Sequence, residues 1–204
     1  MKNLKAKIAF VFVLCVLLAG CASYLYPPAF DLAPLRRVGL ATFSPEKAEG
    51  PLAYMATQHF MEEIFRWQRV EIVELGSWDE TLRSVGADRT DQAALRAIGQ
   101  RYGVAAVFIG RLRASDIKPS VDILSLARYL SVRATFNIFL TATLTATETG
   151  GVLWTDSAER RGEAGRIGVG PGGIFDFSLR DQEENYRRLI RSLVYDITRD
   201  FRPR

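Results

Sequence analysis

A long run of alternating residues does most to limit what this chain can fold into. From Val132 to Ala146, every even-numbered position is apolar, while the odd-numbered positions are mostly Ser, Arg, Asn and Thr, with Phe139 as the exception. Successive side chains of a strand point to opposite faces, so this period of two predicts a strand with one buried and one polar face. The run from Ser131 to Glu148 is about three times the usual strand length.

A hairpin and a terminal helix are predicted after this strand. Glu148 to Gly151 reads as a turn, and Val152 to Ala158 as the antiparallel partner. The glycine-rich stretch from Gly162 to Gly173 predicts a flexible loop, and Ser178 is predicted to begin the helix. The apolar stripe of that helix comprises Leu179, Tyr186, Leu189, Ile190, Leu193, Ile197 and Phe201. On its other side, Glu183 with Arg187 and Glu184 with Arg188 form i,i+4 pairs typical of a solvated face.

The first half of the chain predicts alternating strands and helices. The predicted strands are Arg37 to Phe43, Val70 to Leu75 and Val104 to Ile109, the first two flanking a helix from Leu52 to Gln68. A polar loop covers Ser44 to Pro51. The apolar face of the first helix would comprise Leu52, Ala56, Phe60, Ile64 and Trp67. Ser77 and Asp91 are candidate caps of two further helices, which end near Val85 and at Gly103. This order predicts an α/β sandwich.

The amino terminus indicates export. Lys2, Lys5 and Lys7 precede the apolar run Ile8 to Leu18, which is the layout of a secretory signal and is shorter than the roughly 20 residues of a membrane-spanning helix. Removing residues 1–20 takes the formal charge from +4 to +1, because these three lysines carry the excess. The remaining domain is therefore not the strongly basic kind that binds nucleic acid.

The signal ends in Leu18-Ala19-Gly20-Cys21, which resembles the lipobox of bacterial lipoproteins. The resemblance implies cleavage before Cys21, diacylglycerol in thioether linkage to its sulfur, and acylation of the new amino terminus, with palmitate as a typical chain. An ordinary secretory signal with Cys21 as an incidental thiol remains the alternative. Cys15 lies inside the discarded segment, so no disulfide is expected.

Three segments are thus expected: a cleaved lipoprotein signal peptide at 1–20, a lipidated, proline-containing tether at 21–36 and a periplasmic α/β domain at 37–204. The tether would reach at most ~40 Å. Ala22 and Ser23 lack the Asp that retains known lipoproteins at the inner membrane. We therefore expect attachment to the periplasmic face of the outer membrane.

With its elements in this order, the mature chain resembles the lipoprotein family of the curli secretion channel, whose relatives include lipoprotein activators of penicillin-binding proteins. The resemblance rests on the opening strand from Arg37 to Phe43, the helix and strand from Leu52 to Leu75, the segment Ile98 to Arg111, and the turn and strand from Thr147 to Trp154. It implies a single compact α/β domain, with a mixed sheet flanked by helices, a long antiparallel C-terminal hairpin and a terminal helix. The role it implies is envelope assembly or secretion, without catalysis.

In the curli channel lipoprotein, two segments extend into membrane-inserted hairpins. The corresponding segments here are 114–130 and 162–177. Ser115 to Pro119 and the glycine cluster are expected to interrupt strands in them, so membrane insertion is not predicted to carry over.

No group of residues predicts a catalytic or cofactor site. His59 is the single histidine, so a zinc site or a triad would have to be built without a second one. Gly165 to Gly170 superficially resembles a phosphate-binding loop but lacks a strand-to-helix junction. Four acids near the terminal helix lack metal-binding spacing: Asp176, Asp181, Glu183 and Glu184. Tyr24, Tyr26 and Phe30 are expected either at the membrane interface or packed against the domain.

The sequence therefore predicts a membrane-anchored accessory lipoprotein of the cell envelope that acts as a binding or assembly module. Expected partners are the membrane, through the lipid anchor, and a protein partner or a second copy, with no nucleic acid, small-molecule substrate, metal or cofactor beyond the lipid on Cys21. An oligomeric outer-membrane secretion channel subunit of the curli-channel type is the alternative. An envelope hydrolase is a third hypothesis, supported by the exported location alone.

Overall fold

The structure is a computed structural model that describes residues 29–47, 52–115, 118–123, 130–169, 175–178 and 182–203. The signal peptide, Cys21, Tyr24 and Tyr26 lie outside the described residues. The strands are β1 (Arg37–Thr42), β2 (Ser44–Glu46), β3 (Glu71–Ser77), β4 (Ala106–Ala114), β5 (Lys118–Ile123), β6 (Leu130–Ala146), β7 (Val152–Val169) and β8 (Phe175–Ser178). The helices are α1 (Leu52–Trp67), α2 (Trp78–Ser84), α3 (Gln92–Tyr102) and α4 (Gln182–Ile197).

One mixed sheet joins all eight strands. Its order is β3-β1-β4-β6-β7-β8, with β2 paired to β4 and β5 paired to β6. Strand β1 runs parallel to both β3 and β4, whereas β6 runs antiparallel to both β4 and β7. The mixed sheet and the long hairpin implied by the sequence are confirmed.

Helices cover both faces of this sheet. On one face, α1 and α4 build the main core with the strands, through residues such as Phe60, Phe108, Leu140 and Val194, all completely buried. On the other face, α2 and α3 form a smaller cluster around Ile98 and Val107. The predicted α/β fold is therefore confirmed.

The alternating pattern of β6 is confirmed where its side chains are described. The even-numbered residues from 136 to 144 are all buried: Phe136, Ile138, Leu140, Ala142 and Leu144. Phe139, the apolar exception, lies on the opposite face, where the Arg113 guanidinium is 4.8 Å from the centre of its ring.

The predicted caps are confirmed as well. The Ser77 hydroxyl accepts from the Glu80 N–H at 3.3 Å and the Asp91 carboxylate from the Ala94 N–H at 2.9 Å. Gly103 ends α3 at a φ of +65°, a left-handed conformation that favours glycine.

The glycine-rich stretch was wrongly predicted as a loop from its start, because β7 continues to Val169. Gly162 shows the physical reason: a Cβ there would lie 2.4 Å from the Phe136 ring. The absence of a side chain at Gly162 therefore allows close packing within a strand, and this glycine does not mark a turn. Residues 170–174 lie outside the described residues.

Two further boundaries differ from the prediction. Ser178 ends β8, and the terminal helix begins at Gln182. The strand interruption predicted at Ser115 to Pro119 is also wrong for its last two residues, because β5 begins at Lys118 and includes Pro119. In the described part of the chain β5 pairs only with β6, and such an edge strand tolerates proline because its unpaired side needs no N–H donor.

Candidate interaction surfaces

The singled-out polar residues do not converge on one place. His59 Nδ1 lies 3.0 Å from the Glu62 carboxylate on the same helix. Glu184 lies 3.8 Å from Arg187, an i,i+3 pair, whereas the sequence predicted pairing with Arg188. Asp176 lies in β8 and Asp181 outside the described residues. The described residues contain no cluster of three His, Cys, Asp or Glu side chains that could hold a metal ion.

The glycines considered for phosphate binding lie in a different setting. Gly165 and Gly168 are inside β7, opposite Ala134 and Ser131 of β6. Backbone amides that cradle a phosphate are free at a helix start, whereas this segment forms part of a ladder. The arrangement does not match a phosphate-binding loop.

One end of the domain holds the chain that comes from the amino terminus. There β1, β3, β4 and β7 begin, and α1 and α4 end. We call the part formed by residues 30–37, 65–71, 152–154 and 195–202 the tether end.

Gln68 organises the tether end. Its side-chain oxygen accepts from the Leu32 N–H at 2.7 Å, and its amide nitrogen donates to the Phe201 carbonyl at 2.6 Å and to the Phe30 carbonyl at 3.3 Å. The Phe30 N–H in turn donates to the Asp200 carbonyl at 2.9 Å. One buried amide thus joins the first described segment to the last, and nothing in the sequence signalled that role.

Aromatic packing supports the same junction. The Phe201 ring is completely buried and lies 4.7 Å from Trp154, 5.8 Å from Phe30 and 5.9 Å from Phe108, measured between ring centres. Of the two environments expected for Phe30, the structure shows packing against the domain.

The outside of the tether end is apolar and cationic. Trp67, predicted to be core, is 43% exposed because it is the last residue of α1. Tyr195 is 59% exposed, with the Arg202 guanidinium 3.5 Å from its ring centre. Arg36, Arg69 and Arg199 are also exposed.

A polar groove lies on the sheet face that α2 and α3 leave uncovered. Its volume is about 500 Å³, and it is lined by Glu46, Arg111, Arg113, Phe139, Thr141, Ser157, Ala158 and Glu159. The charges are largely engaged: Glu159 accepts from Asn137 at 2.8 Å, and Arg111 lies 3.9 Å from Glu46. With two acids and two arginines, the groove is balanced in charge.

A second cavity of about 470 Å³ lies beside the start of α3, between residues 85–91 and the helix. Asp91 lines it and caps the helix. The hydrogen bond from the Ala94 N–H, and to a smaller extent the nearby Arg89, favours the charged carboxylate and lowers the pKa of Asp91. That carboxylate therefore caps α3 in its charged form.

The other end of the sheet extends well beyond the end of β4. Strand β4 ends at Ala114 opposite Ile138, yet β6 continues to Leu130 and remains paired with β7 throughout. Strands β5 and β8 flank this part. We call β5, residues 130–138 of β6, residues 160–169 of β7, and β8 the four-stranded extension; at about 3.3 Å per residue it adds roughly 26 Å.

The register of the extension separates apolar from polar positions. One row across the four strands holds Ile123, Leu130, Val169 and Phe175, and another holds Val121, Val132, Ile167 and Phe177. The row between them holds Asp122, Ser131, Gly168 and Asp176. Because alternate rows share a face, all eight apolar positions belong to one face of the sheet.

No helix within the described residues has the length and apolar character needed to cross a membrane.

Comparison with solved structures identifies the fold. The PelC dodecamer from Paraburkholderia phytofirmans is similar at a TM-score of 0.50 and 11% identity, over 88% of this chain and 94% of that one. The chain shares the fold of PelC. The resemblance inferred from the sequence is thereby confirmed as to fold.

Weaker similarity is found to two further structures. Lipoprotein GNA1162 from Neisseria meningitidis matches at a TM-score of 0.43 and 13% identity, over 78% of this chain and 96% of that one. The LpoB C-terminal domain from Salmonella enterica matches at 0.39 and 12%, over 62% and 83%. No family model and no curated protein matches the sequence.

Proposed function

We propose that this protein is a lipid-anchored, non-catalytic assembly module of the bacterial envelope, which binds a protein partner or a second copy through the four-stranded extension. The observation that carries the proposal is the register of the extension, which places eight apolar positions on one face. Apolar positions gathered on one face of a sheet are typical of a face that other protein or lipid covers. The lipobox-like sequence ending in Cys21 supports anchoring at the outer membrane, facing the periplasm.

The position of the extension fits a docking role. Among the described elements, β5 lies against β6 and β8 against β7, while α4 packs on the base of the extension, where Tyr186 meets Phe136 at 5.6 Å between ring centres. The eight apolar positions lie on strands that pair with one another beyond the end of β4. PelC, which shares the fold, assembles as a dodecamer, and this supports self-association as one form of the proposed binding.

A charged residue in an apolar row tests this function. Single Val132→Glu and Ile167→Glu variants place a charge on the apolar face, and Ser131→Glu places the same charge in the intervening polar row. We expect the first two to abolish crosslinked complexes in intact cells, from a photoreactive residue at position 120, and Ser131→Glu to retain them. Equal capture by all three, or no capture by the wild type, would contradict the proposal.

An oligomeric secretion channel subunit is the second candidate, and the same rows favour it. The paired segment from Leu130 to Ile138 has nine residues, close to the roughly 9 to 11 of a strand that crosses a bilayer. Lipidated protein in liposomes distinguishes the candidates. Ring-shaped oligomers that release an entrapped dye would support the channel, and a protein that binds partners without leakage would support the assembly module.

A further inference from the structure

We propose that the tether end is a membrane-binding surface, which docks on the anionic headgroups of the bilayer that holds the amino terminus and points the four-stranded extension away from it. The proposal rests on the lipid anchor proposed above for the identity of that bilayer and for the orientation of the domain on it. The affinity of this surface for lipid is a property of the folded domain.

Chain length supports this orientation. Nine peptide steps separate Cys21 from Phe30, which the Gln68 and Asp200 hydrogen bonds hold at the tether end. Nine residues span at most about 30 Å when fully extended. The far end of β6 lies sixteen residues from Ala146, or about 50 Å away along the strand. An anchored amino terminus therefore keeps the tether end nearest the bilayer.

Exposed apolar side chains concentrate at the same end. Among the described residues, the large apolar side chains that are exposed are Tyr54, Phe65, Trp67, Val152, Leu153 and Tyr195. Five of these six lie at the tether end, and only Tyr54 lies near the opposite end of α1. Trp and Tyr are the residues that favour the interface between lipid and water.

The charge of the tether end suits anionic lipid. Its described residues include six arginines and four acids: Arg36, Arg37, Arg66, Arg69, Arg199 and Arg202 against Asp31, Glu71, Asp196 and Asp200.

Each acid already has a partner within the protein. Glu71 pairs with Arg37 at 2.7 Å, and Asp196 pairs with Arg160. Asp31 accepts from the Ala33 N–H at 3.0 Å, and Asp200 from the Trp154 indole at 3.3 Å. Three of the arginines are also near acids, because Arg37 pairs with Glu71, Arg66 lies 2.7 Å from Glu63 and Arg202 lies 3.5 Å from Glu63. The exposed Arg36, Arg69 and Arg199 are those expected to meet lipid phosphates, and the mixture of Trp, Tyr and Arg distinguishes this surface from the charge-balanced groove.

Binding of the unlipidated chain to vesicles tests the proposal. The chain is produced from residue 21 onward with Cys21→Ser, so that no lipid holds it. We expect it to sediment with vesicles of phosphatidylglycerol and phosphatidylethanolamine, but much less with phosphatidylcholine alone. Binding should weaken between 0.1 and 1 M salt, as the screening length falls from about 10 to 3 Å.

Matched variants locate the surface. Arg69→Glu with Arg199→Glu should lower the partition coefficient at least tenfold, and Trp67→Ala severalfold. Arg111→Glu with Arg113→Glu makes the same charge change in the polar groove and should stay within twofold of wild type. Arg69→Gln with Arg199→Gln replaces the first pair if the urea midpoint shows that the glutamates disturb folding.

Three outcomes would overturn the proposal: no binding of the unlipidated chain to anionic vesicles, equal loss of binding in the groove variant, or vesicle binding that survives the tether-end substitutions. All three are read from vesicle binding, whereas the extension variants are read from crosslinking, so failure here is distinguishable from failure of the proposed function.

Discussion

The two ends of this molecule use the same pair of strands in opposite ways. At the tether end, β6 and β7 lie under α1 and α4, and their core-facing side chains meet the Phe201 cluster. In the four-stranded extension, β5 and β8 flank the same strands, and α4 covers only the base, where Tyr186 packs on Phe136 and Leu189 lies over Gly162. Burial against helices stabilises the first region, whereas we propose that the apolar rows of the second bind another molecule. We therefore expect substitutions of buried residues at the tether end to alter folding and those in the apolar rows of the extension to alter association.

The largest expected effect on stability is at Phe201. Replacing it by alanine removes a completely buried ring that contacts Phe30, Phe108 and Trp154. The Phe201→Ala variant should lose about 3–5 kcal/mol of unfolding free energy, because the cavity cannot fully collapse. Urea denaturation measures this, with the half-exposed Phe65→Ala as control, and similar losses in the two variants would contradict the assignment of the core.

Gln68 should give the next largest effect. Gln68→Leu keeps an apolar stem but leaves the Leu32 N–H and the Phe201 carbonyl without their partner. We expect a loss of about 1–3 kcal/mol, typical of unsatisfied buried groups. Hydrogen exchange should show faster exchange at Leu32, and the exposed Gln100→Leu should change neither quantity. Unchanged exchange at Leu32 would show that the amide does not hold the tether.

Substitutions in the extension should alter stability less. Val132→Glu and Ile167→Glu lie beyond the end of β4, so each should change the free energy of unfolding by under about 1 kcal/mol while abolishing association. Thermal unfolding compared with crosslinking yield separates the two properties. A loss as large as that of Phe201→Ala would mean that the extension belongs to the folding core, and the contrast between the ends would fail.

The smallest expected effect is at Asp91, which belongs to neither end. Its pKa is lowered chiefly by the Ala94 N–H, so the ionised carboxylate stabilises the fold. That contribution is complete above the ordinary Asp pKa of about 3.9 and is lost as pH falls through the lowered pKa. The difference in urea midpoint between wild type and Asp91→Ala should therefore be constant near neutral pH and shrink in acid. A difference that grows in acid would have the wrong sign.

Much of the fold could be predicted because local patterns were strong. The alternation in β6 specified which face is buried, and Ser77, Asp91 and Gly103 each satisfy a helix end through atoms within a few residues. Such signals act over short distances along the chain, so they can be found without knowledge of the tertiary structure.

The extension and the tether end were harder to predict because their signals depend on distant residues. Gly162 pairs with Phe136 in the ladder between β6 and β7, and the ring leaves no room there for a side chain. Gln68 holds the tether only because Phe30 and Phe201 converge on it from opposite ends of the chain. In isolation, both residues look like features of a loop or a helix end.

The orientation of the lipidated protein on a membrane tests the contrast between the two ends most directly. A fluorophore on a cysteine at position 69 or at position 131 reports the depth of each end in vesicles, through quenching by spin-labelled lipid or by an aqueous quencher. We predict that lipid quenches the label at position 69 and the aqueous quencher reaches the one at position 131. Lipid quenching at position 131, with position 69 open to water, would contradict the account and favour an extension that enters the membrane.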